Sequence, residues 1–165
     1  MTTFSELERE LTDCLKLAER LLELLAESSA ALVRCDYARL NGLVAAQGEL
    51  GLALRRGEES LRKRLAATAV ELGQPASSAW PALVDRLRLQ VGSTAAERLD
   101  ELAQRLRKVA GQLSEETAIN QALLRNLEEY TRTVFRLLLG AEERTGYGRK
   151  PPPVVAARHL VDREL

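Results

Sequence analysis

The chain has 165 residues, of which 45% are hydrophobic, 29% are charged and only 4% are aromatic, and its formal net charge is zero. This length fits one domain, or one domain with a tail, and the hydrophobic content argues against general disorder. Proteins that bind nucleic acid usually carry a basic surplus that neutralises phosphates, so a nucleic-acid partner is not expected. The scarcity of aromatic residues disfavours a sandwich, a barrel or a ligand pocket, and the abundance of Leu, Ala, Arg and Glu is typical of long helices.

The cysteines and the N-terminus indicate the compartment. Cys14 and Cys35 are too few for a disulfide framework, and we expect both to be reduced thiols. The first ten residues are polar and acidic, unlike a signal peptide. No apolar run approaches the roughly 18 residues that cross a bilayer. We therefore expect a cytoplasmic protein without membrane insertion.

The first helix is predicted over about 3–34. It opens with Thr3-x-x-Glu6, a capping box that satisfies free amides at a helix start. From Phe4 to Leu32 the seam residues then follow one another at alternating spacings of three and four. Such a strict repeat predicts a narrow seam that packs lengthwise against another helix.

The second helix is predicted over about 36–72, with Asp36 as N-cap and Gly73 and Pro75 as the stop. Because the link between the two helices is so short, they should form an antiparallel hairpin. Four glycines lie inside this helix and weaken it: Gly42, Gly48, Gly51 and Gly57. They indicate close approach of a neighbouring helix or local fraying, or else a pliable segment that moves on binding.

A short helix is predicted over about 78–90, with Pro81 in its first turn. Trp80, the only tryptophan, either caps one end of the bundle or anchors a partner.

The last helix is predicted over about 94–139, from a capping box at Thr94-x-x-Glu97 to a stop at Gly140. Its seam again alternates spacings of three and four. Residues 141–165 should form a flexible tail, because Gly-Tyr-Gly-Arg-Lys-Pro-Pro-Pro within it cannot continue a helix. The predicted fold is thus all-α: an antiparallel long-helix hairpin, one short helix and a third long C-terminal helix in a coiled-coil-like bundle over 1–140.

The residue types needed for catalysis are scarce. His159 is the only histidine and lies in the predicted tail, so a preorganised nucleophile–histidine pair is not expected. The chain lacks the Glu-x-x-His pairs of metal-binding bundles, a CxxC pair and a glycine-rich loop after a strand. We expect neither an enzyme nor a cofactor or metal site.

The seam of the last helix has a polar interruption at Glu116 and Asn120. Polar residues on a packed seam commonly fix register or partner choice. Alternatively, the helix has outrun its partners at this point and the two residues face water. The sequence leaves both interpretations open.

After this interruption the last helix is apolar around much of its circumference. The seam residues are Leu123, Leu127, Tyr130, Val134 and Leu137, and a second stripe contains Leu124, Thr131, Phe135 and Leu138. The first two helices could cover one side only, so the other side requires a dimer, a folded-back tail or a partner. A partner helix laid along this surface is the simplest expectation.

The run Asn120-Gln-Ala-Leu-Leu, the helix to Leu139 and the Tyr147-Gly148 dipeptide resemble the FlgN family of flagellar export chaperones. The likeness covers the whole architecture, and residues match specifically over about 116–148; the following Arg-Lys-Pro-Pro-Pro departs from the family pattern. The resemblance implies a cytosolic chaperone that holds the hook–filament junction proteins FlgK and FlgL by their C-terminal segments before secretion.

The resemblance also implies site residues. Tyr147 corresponds to a tail tyrosine that docks to the export-gate protein FlhA. The implied client-binding residues are Asn120, Leu123, Leu124, Leu127, Tyr130, Val134, Phe135 and Leu138. We expect a monomer or a weak homodimer. The alternatives are a structural coiled-coil protein that self-associates through the same face, and an adaptor of another secretion apparatus.

Overall fold

The computed structural model describes the backbone of residues 2–145 and the side chains of residues 4–139. Within these residues it contains four α-helices and no strand, which confirms the all-α prediction. The helices are α1 (Thr2–Val33), α2 (Tyr37–Glu71), α3 (Trp80–Val91) and α4 (Ser93–Thr145). The ends of α1, α2 and α3 lie within two residues of the predicted ends. Among the described residues, no helix is long and apolar enough to cross a membrane.

The turn between α1 and α2 follows the predicted capping chemistry. Cys35 has a φ of 54°, a left-handed conformation that ends α1 sharply. The Asp36 carboxylate then accepts a hydrogen bond from the backbone N–H of Arg39 at 3.1 Å, so Asp36 is the N-cap of α2. At the other end of α2, Gly73 has a φ of 68°, as expected of a glycine that closes a helix.

Two predicted features of α4 are wrong. The helix does not stop at Gly140 but continues to Thr145, because one internal glycine costs only about 1 kcal/mol and Ala-Glu-Glu-Arg after it favours a helix. Nor does Thr94 cap the helix: α4 begins at Ser93, directly after Gly92. Gly92, with a φ of 93°, is the single residue between α3 and α4, and Thr94 lies inside α4 rather than before its start.

The chain divides into two compact units, Met1–Arg125 and Asn126–Leu165. In the first unit α1 and α2 pack as the predicted antiparallel hairpin. Residues early in α1 meet residues late in α2, as in the ion pair of Glu6 with Arg64 at 2.6 Å. Residues late in α1 meet residues early in α2, as in the core contact of Leu24 with Leu43.

In the first unit α4 runs parallel to α1. Ion pairs join Glu8 to Arg98 and Glu19 to Arg105, so residue numbers rise together along the two helices. From the start of α1 towards its end, fewer helices contribute to the apolar core. A cluster that includes Leu7 and Leu99 draws on all four helices, the next draws on α1, α2 and α4, and the last, around Leu24, draws on α1 and α2 alone.

The glycines of α2 differ in their surroundings. A Cβ atom on Gly57 would lie 3.0 Å from the Sγ atom of Cys14, so this glycine permits a close approach of α1 and α2. A Cβ on Gly42, Gly48 or Gly51 would meet nothing within 4 Å. The predicted close approach is therefore confirmed at Gly57, and packing does not explain the other three.

Trp80 packs against the core cluster of the first unit at the start of α3. Its indole Nε1 donates a hydrogen bond to the Asp100 carboxylate at 2.8 Å. Both the ring and its polar edge are thus engaged within the bundle, as the capping interpretation predicts.

Candidate functional site

The described part of the second unit is a single helical segment of α4 that exposes several large apolar side chains. Leu127 and Val134 are half-buried. Five apolar side chains are 60–69% exposed: Tyr130, Phe135, Leu137, Leu138 and Leu139. An isolated exposed leucine is ordinary, but a run of large apolar side chains on one segment marks an interaction surface. We call residues 123–139 of α4 the apolar segment.

Several polar side chains of the apolar segment have hydrogen-bond or ion-pair partners within the helix itself. The hydroxyl groups of Thr131 and Thr133 donate to the carbonyl oxygens of Leu127 and Glu129 at 2.8 and 2.9 Å. Arg132 pairs with Glu128 one turn earlier. Because these polar groups already have local partners, a partner helix would need to supply mainly apolar contacts.

The start of the apolar segment lies in the first unit and is partly covered. Leu123 is half-buried, whereas Leu124 is 48% exposed. The two side chains therefore point in different directions, as the two predicted stripes require.

Asn120 differs from the other predicted client-binding residues because it is 8% exposed. Its Oδ1 atom lies 2.9 Å from the Ser29 hydroxyl, which donates to it, and its Nδ2 atom donates to the carbonyl oxygen of Leu25 at 3.0 Å. The same hydroxyl also lies within hydrogen-bond distance of the Glu116 carboxylate, and its single proton is shared between these acceptors. Of the two interpretations of the polar interruption, the structure thus favours pairing across a packed seam over exposure to water.

A second polar contact lies beside the first on α1. The side-chain nitrogen of Gln47 on α2 donates to the Ser28 hydroxyl at 2.7 Å and to the Leu24 carbonyl oxygen at 2.9 Å. Ser28 is buried. We call Ser28, Ser29, Gln47, Glu116 and Asn120 the polar layer. It joins α1 to α2 on one side and to α4 on the other.

Sequence reasoning missed the partners in the polar layer, although a signal existed. Ser28 and Gln47 both interrupt otherwise apolar seams of the two hairpin helices. In an antiparallel hairpin with a short turn, polar interruptions of two facing seams are candidates for pairing, although Ser28 lies seven residues before Cys35 and Gln47 lies twelve residues after it. Ser29 gave no such signal, because it lies beside the seam of α1.

Two features of the described residues bear on chemistry. No cluster of three or more His, Cys, Asp or Glu side chains could hold a metal ion there. Cys14 is buried, and burial, followed by the nearby carboxylates of Glu58, Glu10 and Asp13, raises the pKa of its thiol. A thiol with a raised pKa is a poor nucleophile. Both Tyr147 and His159 lie outside the described residues.

Comparison with known proteins identifies a family. The family model described as FlgN protein matches residues 1–151. Searches of curated proteins and of solved structures found no match to the chain.

Proposed function

The chain belongs to the FlgN family of flagellar export chaperones, and from this premise we propose that its clients are the hook–filament junction proteins FlgK and FlgL. The chaperone binds their C-terminal segments in the cytoplasm and delivers them to the export gate. The proposal that the chain binds clients is supported by the apolar segment, in which five large side chains are 60–69% exposed.

The client-binding surface consists of the predicted stripe residues of the apolar segment. They are Leu123, Leu124, Leu127, Tyr130, Val134, Phe135 and Leu138. An amphipathic client helix that covers them removes apolar surface from water on both partners, and each fully buried leucine or phenylalanine contributes roughly 1.5–3 kcal/mol. Part of this energy orders the client segment, so the affinity is moderate and release does not require the chaperone to unfold.

The need for a chaperone follows from a property of the client proteins. The ends of junction proteins form coiled coils, so their apolar faces would associate before export. A helix that covers these faces keeps the client separate and unassembled. Docking to the export-gate protein FlhA involves Tyr147, in the tail beyond the client-binding surface.

Two charge substitutions test the client-binding surface. Leu127→Glu and Phe135→Glu each place a carboxylate where the client helix would exclude water, so each should weaken binding of a FlgK or FlgL C-terminal peptide roughly 100-fold, or about 2.7 kcal/mol. The matched control is Leu89→Glu, which changes an apolar side chain on α3 that is 79% exposed and should leave binding unchanged. Binding is measured by calorimetry, and helicity by circular dichroism.

Retention of peptide binding by both charge variants would show that the surface is misassigned. The size of the pure protein separates the alternatives. A monomer or weak dimer that takes up a peptide supports the chaperone, and a tight large oligomer that excludes the peptide supports a structural coiled coil. Normal motility and intact filaments in a deletion strain would instead favour an adaptor of another secretion apparatus.

A further inference from the structure

The side of α2 that points away from the core exposes three large apolar side chains. Tyr37, Val44 and Leu52 are 54–56% exposed. At 100° per residue they lie within an arc of about 80°. Gly48 lies in the middle of this arc, about 120–140° around the helix from the buried Leu43 and Leu54. We call this side of α2, from Tyr37 to Glu59, the outer face. A surface helix normally carries polar residues here, so the apolar side chains indicate contact with another molecule.

The centre of the outer face is shaped for the close approach of a second helix. A Cβ atom on Gly48 or on Gly51 would meet nothing within 4 Å. Each glycine makes the helix less stable than alanine would, without allowing a closer contact inside the chain. A helix of another molecule could use the space that the missing side chains leave.

The outer face is complementary to itself in one orientation. Consider two α2 helices that run antiparallel and are related by a two-fold axis at Gly48. At 1.5 Å and 100° per residue, Val44 of one copy then lies over Gly51 of the other, and Leu52 lies over Ala45. Each large side chain thus meets a small residue. Such self-complementarity is what a two-fold symmetric interface requires.

The charges on the outer face favour the same orientation. Tyr37 and Asn41 precede the centre and are uncharged, whereas Arg55 and Glu59 follow it, and all four are exposed. A parallel pair would place Arg55 and Glu59 against their own copies, where like charges repel. In the antiparallel pair Arg55 comes opposite Asn41, whose amide oxygen accepts hydrogen bonds, and Glu59 comes opposite Tyr37, whose hydroxyl donates one.

We propose that the chain forms a homodimer in which the outer faces of two α2 helices pack antiparallel across a two-fold axis at Gly48. The dimer is weak, because each copy contributes only three large apolar side chains. This interface uses no residue of the apolar segment. The inference therefore goes beyond the proposed function and does not depend on it.

Sedimentation equilibrium of the full chain tests the dimer with a matched pair of substitutions. Gly48→Glu places a carboxylate at the two-fold axis, where it would meet its own copy, and should weaken dimerisation at least about tenfold. The control Gly42→Glu makes the same change in the same helix. Gly42 is also exposed, with nothing within 4 Å of an added Cβ, but it lies about 120° around the helix from Gly48. It should leave dimerisation unchanged, and circular dichroism checks that both variants fold.

Disulfide cross-linking tests the orientation. The background is Cys35→Ser, in which the remaining Cys14 is buried. Gly48→Cys should form an intermolecular disulfide, because residue 48 meets its own copy at the axis. Gly42→Cys should not. Glu59→Cys should not cross-link to itself either, since the two copies of this residue lie about 33 Å apart along an antiparallel pair.

Each other outcome overturns the proposal in a recognisable way. A parent protein that stays monomeric at its highest soluble concentration refutes the dimer, and equal dimerisation of Gly48→Glu and the parent refutes this interface. Self-cross-linking of Glu59→Cys would show a parallel pair. Loss of the dimer in Phe135→Glu but not in Gly48→Glu would place self-association on the apolar segment. Loss of client-peptide binding in Gly48→Glu, with a monomeric parent, would show that the client covers the outer face.

Discussion

Two glycine-to-alanine substitutions in α2 test the close approach of α1 and α2 at Gly57. Gly48→Ala adds a methyl group at an exposed position, where nothing lies within 4 Å of the new atom. Gly57→Ala adds the same group 3.0 Å from the Sγ atom of Cys14, which is only 2% exposed and belongs to the core. The two variants share the change in helix propensity and differ in packing.

The expected magnitudes follow from these surroundings. Alanine is about 1 kcal/mol more favourable than glycine inside a helix, so Gly48→Ala should raise the free energy of unfolding by about that amount. Overpacking of a core costs roughly 1–3 kcal/mol. At Gly57 this cost exceeds the gain in propensity, and the variant should be about 1 kcal/mol less stable than the parent.

Urea denaturation followed by far-ultraviolet circular dichroism measures both effects. The same substitutions are then made in a Cys14→Ala background, where the Sγ atom is absent. There Gly57→Ala should become stabilising, while the effect of Gly48→Ala should not change. If Gly57→Ala stabilises the parent as much as Gly48→Ala does, the contact with Cys14 does not limit the approach of the helices and the reasoning is refuted.

Three other predictions concern the first unit. A thiol reagent should modify Cys35 and spare Cys14 until denaturant is added, because Cys14 is buried and burial, more than the nearby carboxylates, raises the pKa of its thiol; equal rates in the native protein would contradict this. Because its pKa is raised, the Cys14 thiol holds its proton more tightly in the folded protein than in the unfolded chain. The free energy of unfolding should therefore fall as the pH rises above the usual thiol pKa of about 8.5. This fall should be less steep in the Cys14→Ala variant. Asp100→Ala removes the acceptor of the Trp80 indole and should cost about 1 kcal/mol and shift tryptophan emission to longer wavelength; unchanged emission would show that this bond does not hold the ring.

The helices and the hairpin could be predicted from the sequence because their signals are local. The seam from Phe4 to Leu32 and the short turn at Asp36 together specify two long helices and their antiparallel packing. The exposure of Tyr130 and Phe135 also follows from local pattern, since two apolar stripes on one helix exceed what the rest of the chain can cover. Their role in client binding remains a proposal.

The pairing of α4 with α1 could not be predicted in the same way. A single sequence gives the periodicity of each helix but not the register between helices that are far apart in the chain. Asn120 therefore could not be matched to Ser29, and its burial was an open question. The end of α4 was missed for a different reason: the stop signal at Gly140 competes with strong helix formers after it, and the helix formers prevail.

The parallel packing of α1 and α4 has a consequence for the order of folding during synthesis. Hydrogen-bonded partners on the two helices are separated by 86 to 95 residues, whereas α1 and α2 are neighbours in the chain. The hairpin of α1 and α2 can thus form early in synthesis. The face of α1 that packs against Leu99 stays uncovered until most of the chain has left the ribosome. We therefore expect the nascent protein to expose an apolar face on α1, so that it depends for a time on other chaperones before it can act as one.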